Sequence, residues 1–373
     1  MMKIRKVEDK DIIPLSQFLP KGFPYTPITT WLELFDYWWS TNPAYSDQIP
    51  RGWLLEKDES IVGFIGNIPI KYLVHDEYKL AVASNSWYLD PEVRGIFSIS
   101  LLNEFMKQEN IQIFLFKSDN ERFDKILSRF KFKEYILPPS QKEYVYIIDK
   151  KRMIADSIKF IICNQLNLGL RGLPELYKRF VFYIGSYFVQ EPPLQTTDVP
   201  DDVFTTSICT SCDDSFLAIQ RSNSSHKDNT IIHDIKTLNW LYFSPKKSNE
   251  RVVIQCKRSS DGLLAGYMVF DMLRFIPRGG GTMQLMDVCI SDENPQVIKA
   301  LISYAIEIGK QNNMTLLVVW AKSAEIEKYF ENTIPMKRSV RNYRYVCFSA
   351  TFEMNSLQRD WWNMHHSLIY PPQ

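Results

Sequence analysis

The chain has 373 residues, 45% of them hydrophobic and 23% charged, values of a globular protein long enough for two cores rather than one. Its 44 basic residues stand against 43 acidic ones, a formal net charge of +1, which excludes the basic face that readers of nucleic acid carry. The six cysteines are scattered rather than framed, as expected of reduced thiols in a cytoplasmic protein.

The first nine residues carry charges where a secretory leader needs an apolar core, and no run approaches about 18 apolar residues, so neither a leader nor a membrane span is expected. Residues 4–7 read as a short strand and 12–18 as a helix. A proline-rich loop over 22–27 precedes a tryptophan-rich helix over 31–40. Strands at 53–57 and 61–72 flank a turn at Glu59 and Ser60, the second rich in β-branched residues. A further strand covers 80–89. Ile96, Ile99, Leu102, Phe105 and Met106 recur at helical spacing over 96–108. The apolar run 111–116 has the length of a buried strand; a helix over 120–130 and strands at 132–137 and 143–148 follow.

Residues 151–190 depart from this pattern. Apolar stretches around Phe160 and from Phe180 to Tyr183 sit on expected helices, separated by Gly169 and Gly172. Such helices brace two domains or rest on a membrane surface, and bracing is the commoner use. Pro192 and Pro193 open a linker. The order of elements then begins again. Trp38-Trp39-Ser40-Thr41-Asn42-Pro43 is answered by Trp240-Leu241-Tyr242-Phe243-Ser244-Pro245, roughly 200 residues later. A strand pair ending near Gly63 is answered by one ending near Gly266. The expected division is 1–150, a connector over 151–199, a second copy over 200–353 and a tail over 354–373.

The two copies differ at one corner, between a strand and the helix after it. The first reads Leu89-Asp90-Pro91-Glu92-Val93-Arg94-Gly95; the second reads Ser291-Asp292-Glu293-Asn294-Pro295-Gln296. A helix N-terminus leaves backbone N–H groups unpaired and partly positive. A turn that gathers them is an anion site, and an arginine fork suits phosphate. On residues alone the first corner is either such a site or a strand–helix turn with a surface arginine. The second corner places acidic residues where an anion would lie.

The element order together with Arg94-Gly95, Leu101-Leu102, Asn120 and Phe132 resembles the GNAT superfamily of N-acyltransferases, over residues 1–149 directly and over the second copy through the repeat. The resemblance implies a mixed α/β fold, two tandem domains each built on a central mixed sheet flanked by helices. It implies acetyl-CoA or another acyl-CoA as co-substrate, and a small-molecule amine as acceptor. The pyrophosphate is then expected at Val93, Arg94, Gly95, Ile96, Phe97 and Ser98. Backbone N–H groups near Trp87, Tyr88 and Leu89 would hold the pantetheine and polarise the thioester, with Asn120 within reach of the cofactor arm. Two features depart from the family pattern. Two further glycines usually follow Arg-Gly, where this chain has Ile96-Phe97-Ser98; and the family's acid tyrosine falls at Leu127, which donates no proton.

Other motifs carry less. Cys209 and Cys212 have metal-type spacing without a second pair, so no metal is expected. Gly279-Gly280-Gly281 lies between two strands and reads as a hairpin. The strand 80–89 offers Ser84, Asn85 and Ser86 but no carboxylate, leaving Glu56, Glu59 or water as base. An α-amine is about a tenth neutral at pH 7, whereas a lysine is neutral about once in 2,500, a penalty near 4.6 kcal/mol. A site without a strong base therefore suits an amino sugar or an α-amine. The nine tryptophans exceed the needs of two cores, and Trp38, Trp39, Trp53, Trp87 and Trp240 are candidate walls of an acceptor site between the copies, Trp87 above all. Against an acyltransferase stands a catalytically silent tandem protein used for binding.

Overall fold

The computed structural model describes residues 2–24, 26–74, 77–118, 142–152, 203–224, 234–244, 251–274, 281–291, 294–321, 330, 337–339 and 344–349. The first sheet begins with β1 (Met2–Lys6), β2 (Gly52–Lys57), β3 (Ser60–Val74) and β4 (Glu77–Leu89), an antiparallel run in which the β2–β3 turn is made by Asp58 and Glu59, both with positive φ. β5 (Ile113–Ser118) joins β4 in parallel after the crossover helix α3 (Ile96–Met106). Helices α1 (Ile12–Phe18) and α2 (Ile28–Phe35) cover the other face.

The second half repeats this plan. β7 (Phe204–Cys209), β8 (Arg251–Arg258), β9 (Leu264–Arg274) and β10 (Gly281–Ile290) run antiparallel, and β11 (Met314–Ala321) returns in parallel after α6 (Pro295–Gln311). Helices α4 (Asp214–Ser224) and α5 (Ile235–Phe243) take the places of α1 and α2. The glycine expectation holds residue by residue. Gly63 pairs with Leu55 and Leu89, and Gly266 pairs with Cys256 and Ile290. A Cβ at Gly63 would lie 3.3 Å from Leu101 of α3, and one at Gly266 would lie 2.7 Å from Val297 of α6. In each copy the missing side chain lets the crossover helix sit close on the sheet. Gly281 pairs with Arg274, as a β9–β10 hairpin requires.

The sheets do not respect the midpoint of the chain. β6 (Lys142–Ile147), expected with the first copy, lies in the second sheet between β11 and β12 (Lys337–Ser339). β13 (Arg344–Ser349), from the second copy, closes the first sheet against β5. The two orders are β1-β2-β3-β4-β5-β13 and β12-β6-β11-β10-β9-β8-β7. Each copy thus lends its late strand to the other. The connector beyond residue 152, the helix expected over 120–130 and the tail lie outside the described residues. Among those described, no helix is long and apolar enough to cross a membrane.

Tyr37, Trp38, Trp39 and Trp240 are spent in a cluster that both halves share. α2 continues into a wide turn, Asp36–Ser40, closed by Thr41 N–H on the Asp36 carbonyl at 2.9 Å. An ordinary helix would turn one of three successive residues outward; this turn buries Tyr37, Trp38 and Trp39 together. Tyr37 stacks on Trp240 at 4.8 Å, and Trp240 Nε1 donates to the Tyr37 carbonyl at 2.8 Å. Behind them Arg251 is held by Asp271 through Nε at 2.5 Å and Nη2 at 2.8 Å, and donates to the Leu241 carbonyl. One apolar cluster therefore runs through both halves. Trp38, Trp39, Trp53 and Trp240 are all buried to 5% exposure or less, so these rings are packing and do not line an acceptor site.

Candidate functional site

β4 is longer than its parallel partnership. It pairs with β5 only at Ala81, Val82 and Ala83, yet continues along β3 to Leu89. Past Ala83 the two strands separate, and the sheet opens into a V. A bulge marks the parting: Ser86 has φ 52°, and Ser86 and Trp87 together face Ile65. Such a bulge twists the strand and turns part of its backbone away from the ladder.

Strand alternation sorts the amides expected to face a cofactor. Asp90 N–H donates to the Val62 carbonyl at 2.8 Å, so the Tyr88 amide points to β3 and the Leu89 amide to the open edge. The Leu89 carbonyl also faces that edge, where it accepts from Arg94 Nε at 3.0 Å. Of the expected trio, Leu89 presents its backbone to the gap, Trp87 sits at the bulge with its ring against the α3 side, and Tyr88 contributes a ring. That ring packs against Phe18 and Phe23, and Arg94 lies over it at 5.7 Å. Lys21, on the same loop as Phe23, pairs with Asp90 at 3.1 Å and lies over Phe18 at 5.0 Å. Two cations thus flank the end of β4.

The corner itself is open. Pro91–Val93 forms a short turn that buries Val93, and Gly95 caps α3 with φ 90° and ψ −112°. A Cβ at Gly95 would meet nothing within 4 Å, so conformation and not space demands glycine here. The Gly95 carbonyl accepts from Ser98 and Ile99, and no side chain caps the helix. Among the described residues, no carbonyl takes the N–H of Gly95, Ile96 or Phe97. Ile96 is 73% exposed. Arg94, Gly95, Ile96, Phe97 and Ser98 follow the buried Val93 at this corner, with the Arg94 fork folded back on the strand. Asn120 lies outside the described residues.

The second copy has the same V without the open corner. β10 and β11 pair from Gly281 to Gln284, and β10 runs on to Ile290 with its own bulge near Met286. Here Asn294 caps α6, its side chain accepting from Gln296 N–H at 2.9 Å, and Pro295 removes one donor outright. The face of this V is filled. Tyr242 donates to the buried Asp287 carboxylate, Val288 N–H donates to the same group at 2.8 Å, and Gln220 donates to the Tyr267 hydroxyl at 3.0 Å. Burial, then the nearby Asp287 charge, pushes the Tyr242 phenol well above its ordinary range, so it remains a donor. Sequence reading missed this cluster, because Tyr242, Asp287 and Gln220 are distant in the chain.

The base candidates are accounted for. Arg5 donates to Glu56 at 2.5 Å and grips Asp11 through both nitrogens, so Glu56 is committed to an ion pair. Glu59 sits exposed in the β2–β3 turn.

No protein-family model matches the sequence, and no curated protein matches it. Solved structures do match its fold. A probable N-acyltransferase of unknown function from Enterococcus faecalis V583 superposes with a TM-score of 0.56 at 12% identity, covering 93% of this chain and 72% of that one. A GCN5-related N-acetyltransferase from Anabaena variabilis gives 0.55 at 9% identity, with the same coverage. Saccharomyces cerevisiae N-myristoyltransferase with bound myristoyl-CoA gives 0.54 at 10% identity, covering 93% of this chain and 82% of that one. The chain has the GNAT superfamily fold, with two GNAT-like sheets in tandem.

Proposed function

We propose that the first half binds an acyl-CoA and transfers its acyl group to a small amine, an amino sugar or an α-amine, in the cytoplasm. One observation carries the reading: β4 leaves β5 after Ala83, yet runs on to Leu89 and into an uncapped helix, so a gap edged by strand backbone leads from an anion-accepting corner. In this reading the pyrophosphate takes the N–H groups of Gly95, Ile96 and Phe97, with Ser98 and the free end of the Arg94 fork beside it. The pantetheine runs past Leu89 and Trp87. Asn120 belongs to the site by resemblance alone. Residues 1–150 supply the cofactor site, 151–199 connect, 200–353 cover the acceptor side as a degenerate copy, and 354–373 form a tail.

The chemistry asks little of side chains. A neutral amine nitrogen attacks the thioester carbon, the C–S bond breaks, and CoA leaves as the thiolate. The proton on the new ammonium centre passes to the thiolate or to water. With Glu56 held by Arg5, the reading favours an acceptor that is partly neutral at pH 7.

Thermal denaturation with CoA, acetyl-CoA and myristoyl-CoA tests this. A ligand at 100 times its dissociation constant stabilises by about 2.7 kcal/mol, a rise of roughly 2–4 °C. Arg94→Glu is expected to abolish the rise, and Gln296→Glu at the second corner to leave it. No rise with any of the three at millimolar concentration would overturn the proposal. The second reading, a GNAT fold that binds without transferring, draws on the commitment of Glu56. It predicts the thermal shift without thiol release across a panel of amino sugars and amino acids.

A further inference from the structure

Among the described residues, Asn85 at the open V of the first copy is a buried polar side chain with an unmet donor. Asn85 is 7% exposed, and its Nδ2 has no hydrogen-bond partner. Ser86 Oγ donates to Asn85 Oδ1 at 3.0 Å, which fixes the oxygen end of the amide and leaves the nitrogen end unmet. Asn85 lies two residues past Ala83, the last β4 residue to pair with β5, and alternation puts it on the face of Ala81 and Ala83. It therefore stands at the floor of the gap. Leu89 faces Gly63 and Asn85 faces Gly66, so three ladder steps of about 3.3 Å put Asn85 about 10 Å down the strand from the mouth.

The second copy answers what the position needs structurally. Leu89 and Ile290 are equivalent, since they face Gly63 and Gly266. Three ladder positions on, Asn85 faces Gly66 and Asp287 faces Val269, so Asn85 corresponds to the buried Asp287. The copy with a capped corner has a polar side chain there too, but one that is met, by the Tyr242 hydroxyl and Val288 N–H. The copy with an open corner keeps an amide whose donor is desolvated and unpaired, a state that costs stability in the ligand-free protein.

We propose that Asn85 Nδ2 donates to the carbonyl oxygen of the bound acyl group. This rests on the acyl-CoA reading and adds the group that tells acyl-CoA from CoA. As the amine nitrogen bonds to the thioester carbon, that oxygen takes up the electron pair of the C=O bond, and the same N–H strengthens against it. Leu89, at the mouth, is too far up the strand to serve this oxygen.

Isothermal titration of the full chain with CoA, acetyl-CoA and myristoyl-CoA tests the assignment, with Asn85→Met, Asn85→Ala and the unaltered protein in parallel. The unaltered protein is expected to prefer an acyl-CoA over CoA about three- to tenfold. Both variants should bind CoA unchanged and lose that preference. Asn85→Met, which removes the unmet donor and keeps the place filled, should also raise the melting temperature of the ligand-free protein. A preference that survives in both variants, or a variant that changes only the Michaelis constant of the amine, overturns the role of Asn85 and leaves the acyl-CoA reading standing. Failure of the unaltered protein to bind any of the three overturns that reading itself.

Discussion

Two helix N-termini occupy the same place in the two halves and differ in how their amides are used. At α3, a glycine with φ 90° caps the helix with no side chain, and among the described residues no carbonyl takes the N–H of Gly95, Ile96 or Phe97. At α6, Asn294 turns its own oxygen onto Gln296 N–H, and Pro295 deletes a donor. The same contrast runs along the strands before them: an amide donor without a partner at Asn85 against a carboxylate at Asp287 that Tyr242 and Val288 N–H meet. A closed corner with a filled V contributes to stability; an open corner with an unfilled one holds binding capacity in reserve. The difference teaches that one copy supplies structure so that the other can leave polar groups unmet.

Substitutions can break that division. The largest expected effect is on the structural side. Asp271→Ala strands the fully buried Arg251 and should cost about 3–5 kcal/mol in denaturant unfolding, with the acyl-CoA shift retained in whatever protein folds. Tyr37 and the Leu241 carbonyl meet the same guanidinium, so the loss should appear as weakened docking of the halves. On the binding side, Gly95→Ala forces a side chain to positive φ and should cost about 1–2 kcal/mol. Its effect on cofactor affinity should exceed its effect on the ligand-free melting temperature. Asn294→Ala should cost about 1 kcal/mol and confer no ligand response at the second corner. An α6 corner that bound CoA after this change would end the comparison, since capping alone would then separate the copies.

The smallest effect compares the two arginine–carboxylate clusters through pH. Burial pushes the Asp11 carboxyl up, but the Arg5 guanidinium and the Glu8 N–H outweigh it and hold Asp11 below its ordinary range. A depressed folded value means that this stabilisation is complete above the unfolded value, about 3.9, and is lost as pH falls through the folded one. Asp11→Asn should therefore lower stability at neutral pH, where the carboxylate's contribution is complete, and flatten the profile below about pH 4, where the two proteins converge. Chemical denaturation across that range measures it.

Much of this was legible in the chain. The Trp-Trp and Trp-Leu motifs, the paired Gly63 and Gly266 and the Arg94-Gly95 corner are local signals, and local signals survive in sequence. The opening of β4 from β5 is a matter of which hydrogen bonds stop, and nothing at Ala83 or Leu115 announces it. Asn85 stood in view within Ser84-Asn85-Ser86, a polar run in an apolar strand. That its donor is unmet depends on neighbours from elsewhere in the fold. The tryptophans misled for a related reason: a contact between halves needs as many rings as a ligand wall, and composition does not separate the two.

The exchanged strands have a consequence in time. The first sheet is finished by β13, whose residues Arg344–Ser349 are synthesised long after β5. At roughly 5–20 residues per second, the open edge of β5 waits on the order of ten to fifty seconds on the ribosome. β6 waits likewise for β11 before it has a sheet to join. Neither half is a unit of biosynthesis: a chain stopped near residue 150 would carry a bare strand edge on β5 and an orphan β6. The nascent chain needs its exposed edge shielded until the partner strand emerges, and a single cut between the halves would leave them linked through their sheets.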